Sequence, residues 1–140
     1  MKPIRQEIFG EKKKSYSLFQ NGGFWQLTLF LDESVRYDEE GSPLEYAYTL
    51  ITLPPSTYDY ASIVSAIINA KYDNDKMQAV VNNYLLDSDD LDNVVDFDNM
   101  QNYRAFAKRT AREINAEVVK FIDDYNKEHE PSNTDDNDEE

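Results

Sequence analysis

From Val95 to Asn126 the chain holds neither proline nor glycine, and its apolar residues recur at spacings of three and four. Met100, Tyr103, Ala107, Ala111, Ile114, Val118, Phe121, Ile122 and Tyr125 fall on one continuous stripe, the pattern of a helix packed along one side. At 1.5 Å per residue such a helix is roughly 45 Å long, more than a small sheet can cover. Part of it is therefore expected to project, or to pack against a second copy of the chain. Any fold has to be arranged around this rod.

The sequence ahead of it changes period once. Tyr16 to Phe19 and Phe24 to Leu31 are rich in aromatic and aliphatic residues, and Gln20-Asn21-Gly22-Gly23 between them supplies the positive φ angles of a tight hairpin. In the second run Trp25, Leu27, Leu29 and Leu31 share a face and form the candidate core side. Asp38 to Pro43 marks another turn, followed by a third strand pattern from Leu44 to Leu53. Pro54-Pro55 then ends the sheet, because neither residue can donate to a ladder.

Beyond the prolines the period becomes helical. Ser56 or Thr57 can cap a first helix, whose inward stripe is Tyr60, Ile63, Val64, Ile67 and Ile68. Tyr72 to Asp75 interrupts the pattern, and Met77, Val80, Val81, Tyr84 and Leu85 repeat it in a second helix. Asp87 to Asp92 connects that helix to the long one. The reading is an α+β domain over residues 1–126, with strands in about 15–53 and helices in about 57–126. A three-stranded antiparallel sheet is packed by two short helices and one long C-terminal helix, and residues 127–140 form a disordered acidic tail.

Charge limits the partners. The chain carries 28 Asp and Glu against 14 Lys and Arg, a net charge of -14, and such a surface repels nucleic acid and anionic lipid. No run approaches the ~20 apolar residues of a membrane span, and Met1 to Gly10 lacks the apolar stretch of a signal peptide. These features predict a soluble protein of the cytoplasm, with neither direct nucleic-acid binding nor a membrane contact. Without cysteine there is no disulfide or thiolate metal site.

No reaction can be assigned from the residues. Asp87 to Asp98 resembles a calcium loop only superficially, since Leu91 takes a ligand position, Asp92 stands where the sharp turn needs glycine, and Asp98 closes the run in place of Glu. Close carboxylate pairs arise by chance among so many acids. His129 sits between Glu128 and Glu130 at the edge of the tail, without a scaffold to aim it. We therefore assign no catalytic residue, cofactor or metal. Phe24, Trp25, Tyr46 and Tyr48 can stack planar ligands, although a small sheet under helices needs such groups as core.

Arg104, Lys108 and Arg112, with Arg109 beside them, form a basic row on the long helix. It can grip phosphate or an acidic surface, or be a solvated face balanced by Glu113 and Glu117. The acidic tail is long enough to fold back over it.

One resemblance adds to this reading. The pattern Lys71-Tyr72-x-x-Asp75-x-Met77-Gln78-Ala79-x-x-Asn82-Asn83-Tyr84-Leu85 is followed by Phe97-x-x-Met100-Gln101-x-Tyr103-Arg104-x-x-Ala107-Lys108. This stretch, within Ile63 to Asn115, resembles small tail-region accessory proteins of phages and prophages of gut bacteria. In outline it is similar to tail-fibre assembly proteins. The resemblance implies a non-enzymatic, chaperone-like accessory or assembly protein that binds a virion structural protein in the host cytoplasm or stays with the virion. The residues expected to carry that contact are Met100, Tyr103, Ile114 and Phe121 with Arg104, Lys108 and Arg112. A homo-oligomer through the long helix is also expected. The alternative, from charge alone, is an acidic mimic of nucleic acid that inhibits a host DNA- or RNA-binding enzyme. A small hydrolase would rest on nothing but abundant carboxylates.

Overall fold

The computed structural model describes residues 4–129. Four strands, β1 (Ile4–Gly10), β2 (Tyr16–Asn21), β3 (Phe24–Tyr37) and β4 (Pro43–Thr52), precede three helices, α1 (Tyr60–Lys71), α2 (Asn74–Leu86) and α3 (Leu91–Glu128). The strands form one antiparallel sheet in the order β1-β4-β3-β2. The three expected strands and three expected helices are present, and β1 adds a fourth strand at the edge beside β4. No helix among the described residues is long and apolar enough to cross a membrane.

The hairpin between β2 and β3 follows from its glycines. Asn21 pairs with Phe24 across a two-residue turn in which Gly22 and Gly23 take φ angles of 62° and 87°, the conformation that matches the natural twist of the strands. Along β3, Leu27, Leu29 and Leu31 point into the core, where Ile51 and Leu53 join them. The helices cover this face. The chain between β1 and β2 crosses the opposite face, where the amide of Lys13 donates to the Tyr48 hydroxyl at 2.8 Å and the Phe30 amide donates to the Ser15 carbonyl at 2.8 Å.

A bulge in β3 serves that crossing. Leu31 pairs with Thr49 and Ser34 with Ala47, so Asp32 and Glu33 together oppose Tyr48. Asp32 takes φ 55° to accommodate the extra residue. Glu33 is thereby aimed at the crossing chain: its Oε1 accepts from the Tyr48 hydroxyl at 2.7 Å, and its Oε2 lies 3.7 Å from Lys12 Nζ. Burial of the Tyr48 phenol, foremost, raises its pKa.

Helix α1 starts later than its sequence suggests. Ser56 has φ 62° and gives its amide to the Trp25 carbonyl at 2.7 Å, which is incompatible with the extended backbone of an N-cap. Asp59 caps instead, its Oδ2 accepting from the Ser62 amide at 3.0 Å. Asp73 caps α2 in the same way, accepting from the Lys76 amide at 2.7 Å. The long helix begins at Leu91 rather than Val95, because Asp90 supplies a cap inside the acidic connector. At its other end Lys127 and Glu128, expected in the tail, complete the last turn. The disorder expected of the acidic tail concerns residues beyond 129, outside the described residues.

The 38 residues of α3 make a rod of about 57 Å, and three partners divide its length. Near its start, Phe97 stacks on Tyr84 of α2 at 4.3 Å. In its middle it runs antiparallel to α1: the Tyr103 hydroxyl donates to the Ile67 carbonyl at 3.1 Å, and Asn115 Nδ2 donates to the Tyr58 carbonyl at 2.9 Å. Towards its end it lies on β2 and β3. There the Tyr16 hydroxyl donates to Glu117 at 2.8 Å, and Trp25 meets Phe121 and Tyr125 edge-on at 5.6 and 5.0 Å. Helices α1 and α2 cover the length of the rod that extends past the small sheet.

Candidate functional site

The stripe on α3 is largely occupied by its own chain. Met100 is 1% exposed and Ile114 2%, among the core residues Ala107, Ala111 and Val118. These two side chains, expected at a partner interface, pack the interior and cannot meet a partner without opening the domain. Tyr103 is half-buried, and its ring lies 5.8 Å from Tyr72 and 5.6 Å from Phe106 under the ammonium of Lys71. Phe121 leaves about half its surface in solvent beside Trp25.

The basic row survives as a surface feature. Lys108 and Arg109 are exposed, and the Arg112 guanidinium lies 5.8 Å from the Tyr60 ring centre. Arg104 is half-buried; one terminal nitrogen donates to Gln101 Oε1 at 3.1 Å, whereas its buried Nε has no hydrogen-bond partner among the described residues. The ion pairs among the described residues are Lys12–Glu33, Arg36–Glu45 and Lys120–Asp124. None includes the four cations of the row. Neither Glu113 nor Glu117 forms an ion pair with the row among the described residues, and Glu117 accepts from Tyr16.

The aromatic residues do not build one platform. Trp25 faces the helices, while Tyr48 is buried on the opposite side of the sheet with Phe30 at 5.9 Å. His129 is engaged at the helix end: its ring stacks on Tyr125 at 3.9 Å, and Nδ1 lies 2.9 Å from the Tyr125 carbonyl. No group of three or more potential metal ligands occurs among the described residues.

The most exposed apolar side chains lie where α2 turns into α3. Leu85 is 74% exposed, Leu86 85% and Leu91 72%. Leu85, expected on the inward stripe of α2, faces solvent, whereas Met77, Val80 and Val81 of that stripe pack against the core and Tyr84 stacks on Phe97. The turn itself is well fixed. Asn93 Nδ2 donates to the carbonyls of Asn83 at 3.2 Å and Asp87 at 3.1 Å, and Asp90 Oδ1 accepts from the Asp92 amide at 2.9 Å. Around the three leucines stand the exposed carboxylates of Asp87, Asp89, Asp90 and Asp92.

The tip thus sets apolar surface in water on a hydrogen-bonded turn, beside a group of carboxylates. Leucines left in water gain free energy when a partner covers them, and a ring of one charge selects a complementary rim. Sequence periodicity does not reveal this tip, since Leu86 and Leu91 belong to no stripe; the available signal is two leucines followed by a lone one inside an aspartate run.

The chain was compared with protein-family models, with curated proteins and with solved structures, and none matches it.

Proposed function

We propose that this protein is a non-enzymatic phage accessory or assembly protein that binds a virion structural protein, in a chaperone-like manner, in the host cytoplasm. The phage context rests on the resemblance within Ile63 to Asn115. The binding role rests on one observation, the exposed Leu85, Leu86 and Leu91 at the turn between α2 and α3. The partner surface that fits is an apolar groove rimmed by Lys and Arg, which would cover the leucines and pair with Asp87, Asp89, Asp90 and Asp92. On this reading the contact lies at the hairpin end rather than along the buried stripe.

A second reading has its own support. Six carboxylates between Asp87 and Asp98, with no Lys or Arg from Met77 to Tyr103, suit an acidic mimic that occupies a nucleic-acid site on a host enzyme. The two readings separate in a capture from phage-induced lysate by the full chain and by its L86S/L91S variant, washed at low and high salt. A virion structural protein retained by the parent chain at high salt and lost with the variant supports the assembly role. Capture of a nucleic-acid enzyme that salt or duplex DNA releases, and that the variant still binds, overturns it in favour of mimicry.

A further inference from the structure

Strand β2 ends the sheet with an open edge. The Phe30 amide donates to the Ser15 carbonyl, and bonded pairs recur at every second residue of an antiparallel ladder. Ser17 opposite Thr28 and Phe19 opposite Gln26 therefore turn their backbone groups to β3. Tyr16, Leu18 and Gln20 turn theirs outward, where no strand of the described residues pairs with β2. Charged side chains commonly guard such an edge. The opposite edge strand, β1, carries Arg5 and Glu7, whereas β2 carries no charge at all in a chain of net charge -14.

Each face of this edge also holds a phenylalanine that leaves about half its surface in water. Phe19, opposite Gln26, stands on the face away from the helices. Phe121 stands on the helix side. Tyr16 donates to Glu117, and Tyr125 donates to Gln20; four residues of strand and eight of helix both span about 12–13 Å. Phe121, one turn from each of those helix residues, is therefore level with Leu18. Helix α1 lies on the other flank of α3, where Asn115 donates to the Tyr58 carbonyl.

We infer that β2 pairs antiparallel with β2 of a second copy, joining the two sheets into one. A two-fold axis through Leu18 sets Tyr16 opposite Gln20 of the second copy and Leu18 opposite its own counterpart, which exchanges about six backbone hydrogen bonds. Moving the axis to Phe19 leaves about four. In the first register Phe19 faces Ser17 of the second copy and the two Phe19 rings stand diagonally within reach. The two Phe121 side chains flank the same seam on the helix side. Absence of charge from β2 lets two acidic chains approach here. One turn either side of Phe121, Glu117 is engaged by Tyr16 and Asp124 by Lys120. Such a contact is isologous and closes at two copies. It uses neither Leu85, Leu86 nor Leu91, so it goes beyond the partner reading and does not depend on it.

Amide exchange reads this pairing directly. Sedimentation velocity and residue-resolved exchange would be followed on the full chain over a concentration series. The parent chain is expected to dimerise, and its Leu18 and Gln20 amides to exchange at least about tenfold more slowly at high concentration than at low. Two variants test the seam, with circular dichroism to confirm folding. Gln20→Pro removes an outward donor that β3 does not use, and Phe19→Lys sets like charges beside the axis at an exposed position. Each is expected to associate at least about tenfold more weakly. A parent chain that stays monomeric throughout, a dimer whose Leu18 and Gln20 amides exchange as fast as in the monomer, or a folded variant that dimerises as well as the parent would each overturn the inference. Should Gln20→Pro fail to fold, the parent's exchange and Phe19→Lys decide. None of these outcomes bears on capture of a virion protein through the leucine tip.

Discussion

The phenol of Tyr16 on the edge strand β2 donates to Oε1 of Glu117 on α3 at 2.8 Å, joining residues 101 positions apart. Burial of the phenol, the hydrogen bond and the carboxylate charge all disfavour tyrosinate, and the pKa rises from 10.0 to about 12. A raised folded value stabilises the protonated form. The contribution is therefore complete below pH 10, the unfolded value, and is lost as pH climbs through about 12. Ultraviolet titration of the parent chain should show late-ionising tyrosine absorbance, of which Tyr16→Phe removes one share while that of Tyr48, also raised, stays. The same substitution should cost about 0.5–1.5 kcal/mol in urea unfolding at neutral pH.

Asp59 has the opposite sign. Its carboxylate accepts hydrogen bonds from the Ser62 side chain and amide, which lower its pKa below the ordinary 3.8. The stability it contributes is present above that ordinary value and is lost as pH falls through the depressed folded one. Asp59→Ala should cost about 0.5–2 kcal/mol at neutral pH, as N-cap removal does. Urea midpoints measured down the acid range should show the difference between variant and parent shrinking below pH 4, about the unperturbed carboxyl value.

What the sequence makes legible is whatever depends on period and turn chemistry. Leu27, Leu29 and Leu31 read as core because alternate residues share a strand face, and Gly22-Gly23 reads as a hairpin because few other pairs tolerate its φ angles. Pairing between distant segments carries no such signal. Strand β1 is a short alternating run whose partner β4 lies 33 residues or more away from it, and nothing local announces that pairing. Ser56 looks like a cap until its amide is seen to be taken by Trp25. The candidate site was legible only in part. Periodicity identifies Met100 and Ile114 as apolar stripe, but whether a stripe is covered from within or from outside depends on α1 and the sheet, which in this chain cover it.

Helix α2 should be the least protected helix of the domain. None of its residues is fully buried, whereas α1 buries Ile63, Ala66, Ile67, Ile68 and Ala70. It is attached through the half-buried Met77, Val80 and Val81, which pack against the core, the Tyr84–Phe97 stack and the Asn93 hydrogen bonds. Local opening exposes only half-buried side chains, so amide exchange from Met77 to Tyr84 should be faster than from Ile63 to Ile68. Phe97→Ala should speed exchange in α2 further while leaving Ile63 to Ile68 nearly unchanged. Uniform acceleration across both helices would mean that α2 opens only with the whole domain.

Leu29 and Leu86 set the two extremes of what one leucine does here. Leu29 is fully buried against Ile51 on the helix-covered face, and Leu86 at the turn is almost bare. Leu29→Ala removes buried methyl groups and leaves a cavity, so it should lower unfolding free energy by about 2–5 kcal/mol in a urea titration. Leu86→Ser exchanges one solvated side chain for another and should stay within about 0.5 kcal/mol of the parent. A surface leucine that stability does not need is free to be kept for contact, so the same Leu86→Ser protein should lose partner binding while unfolding normally. If Leu86→Ser instead destabilised the chain as Leu29→Ala does, the hairpin end would belong to the core and the docking surface would have to lie elsewhere.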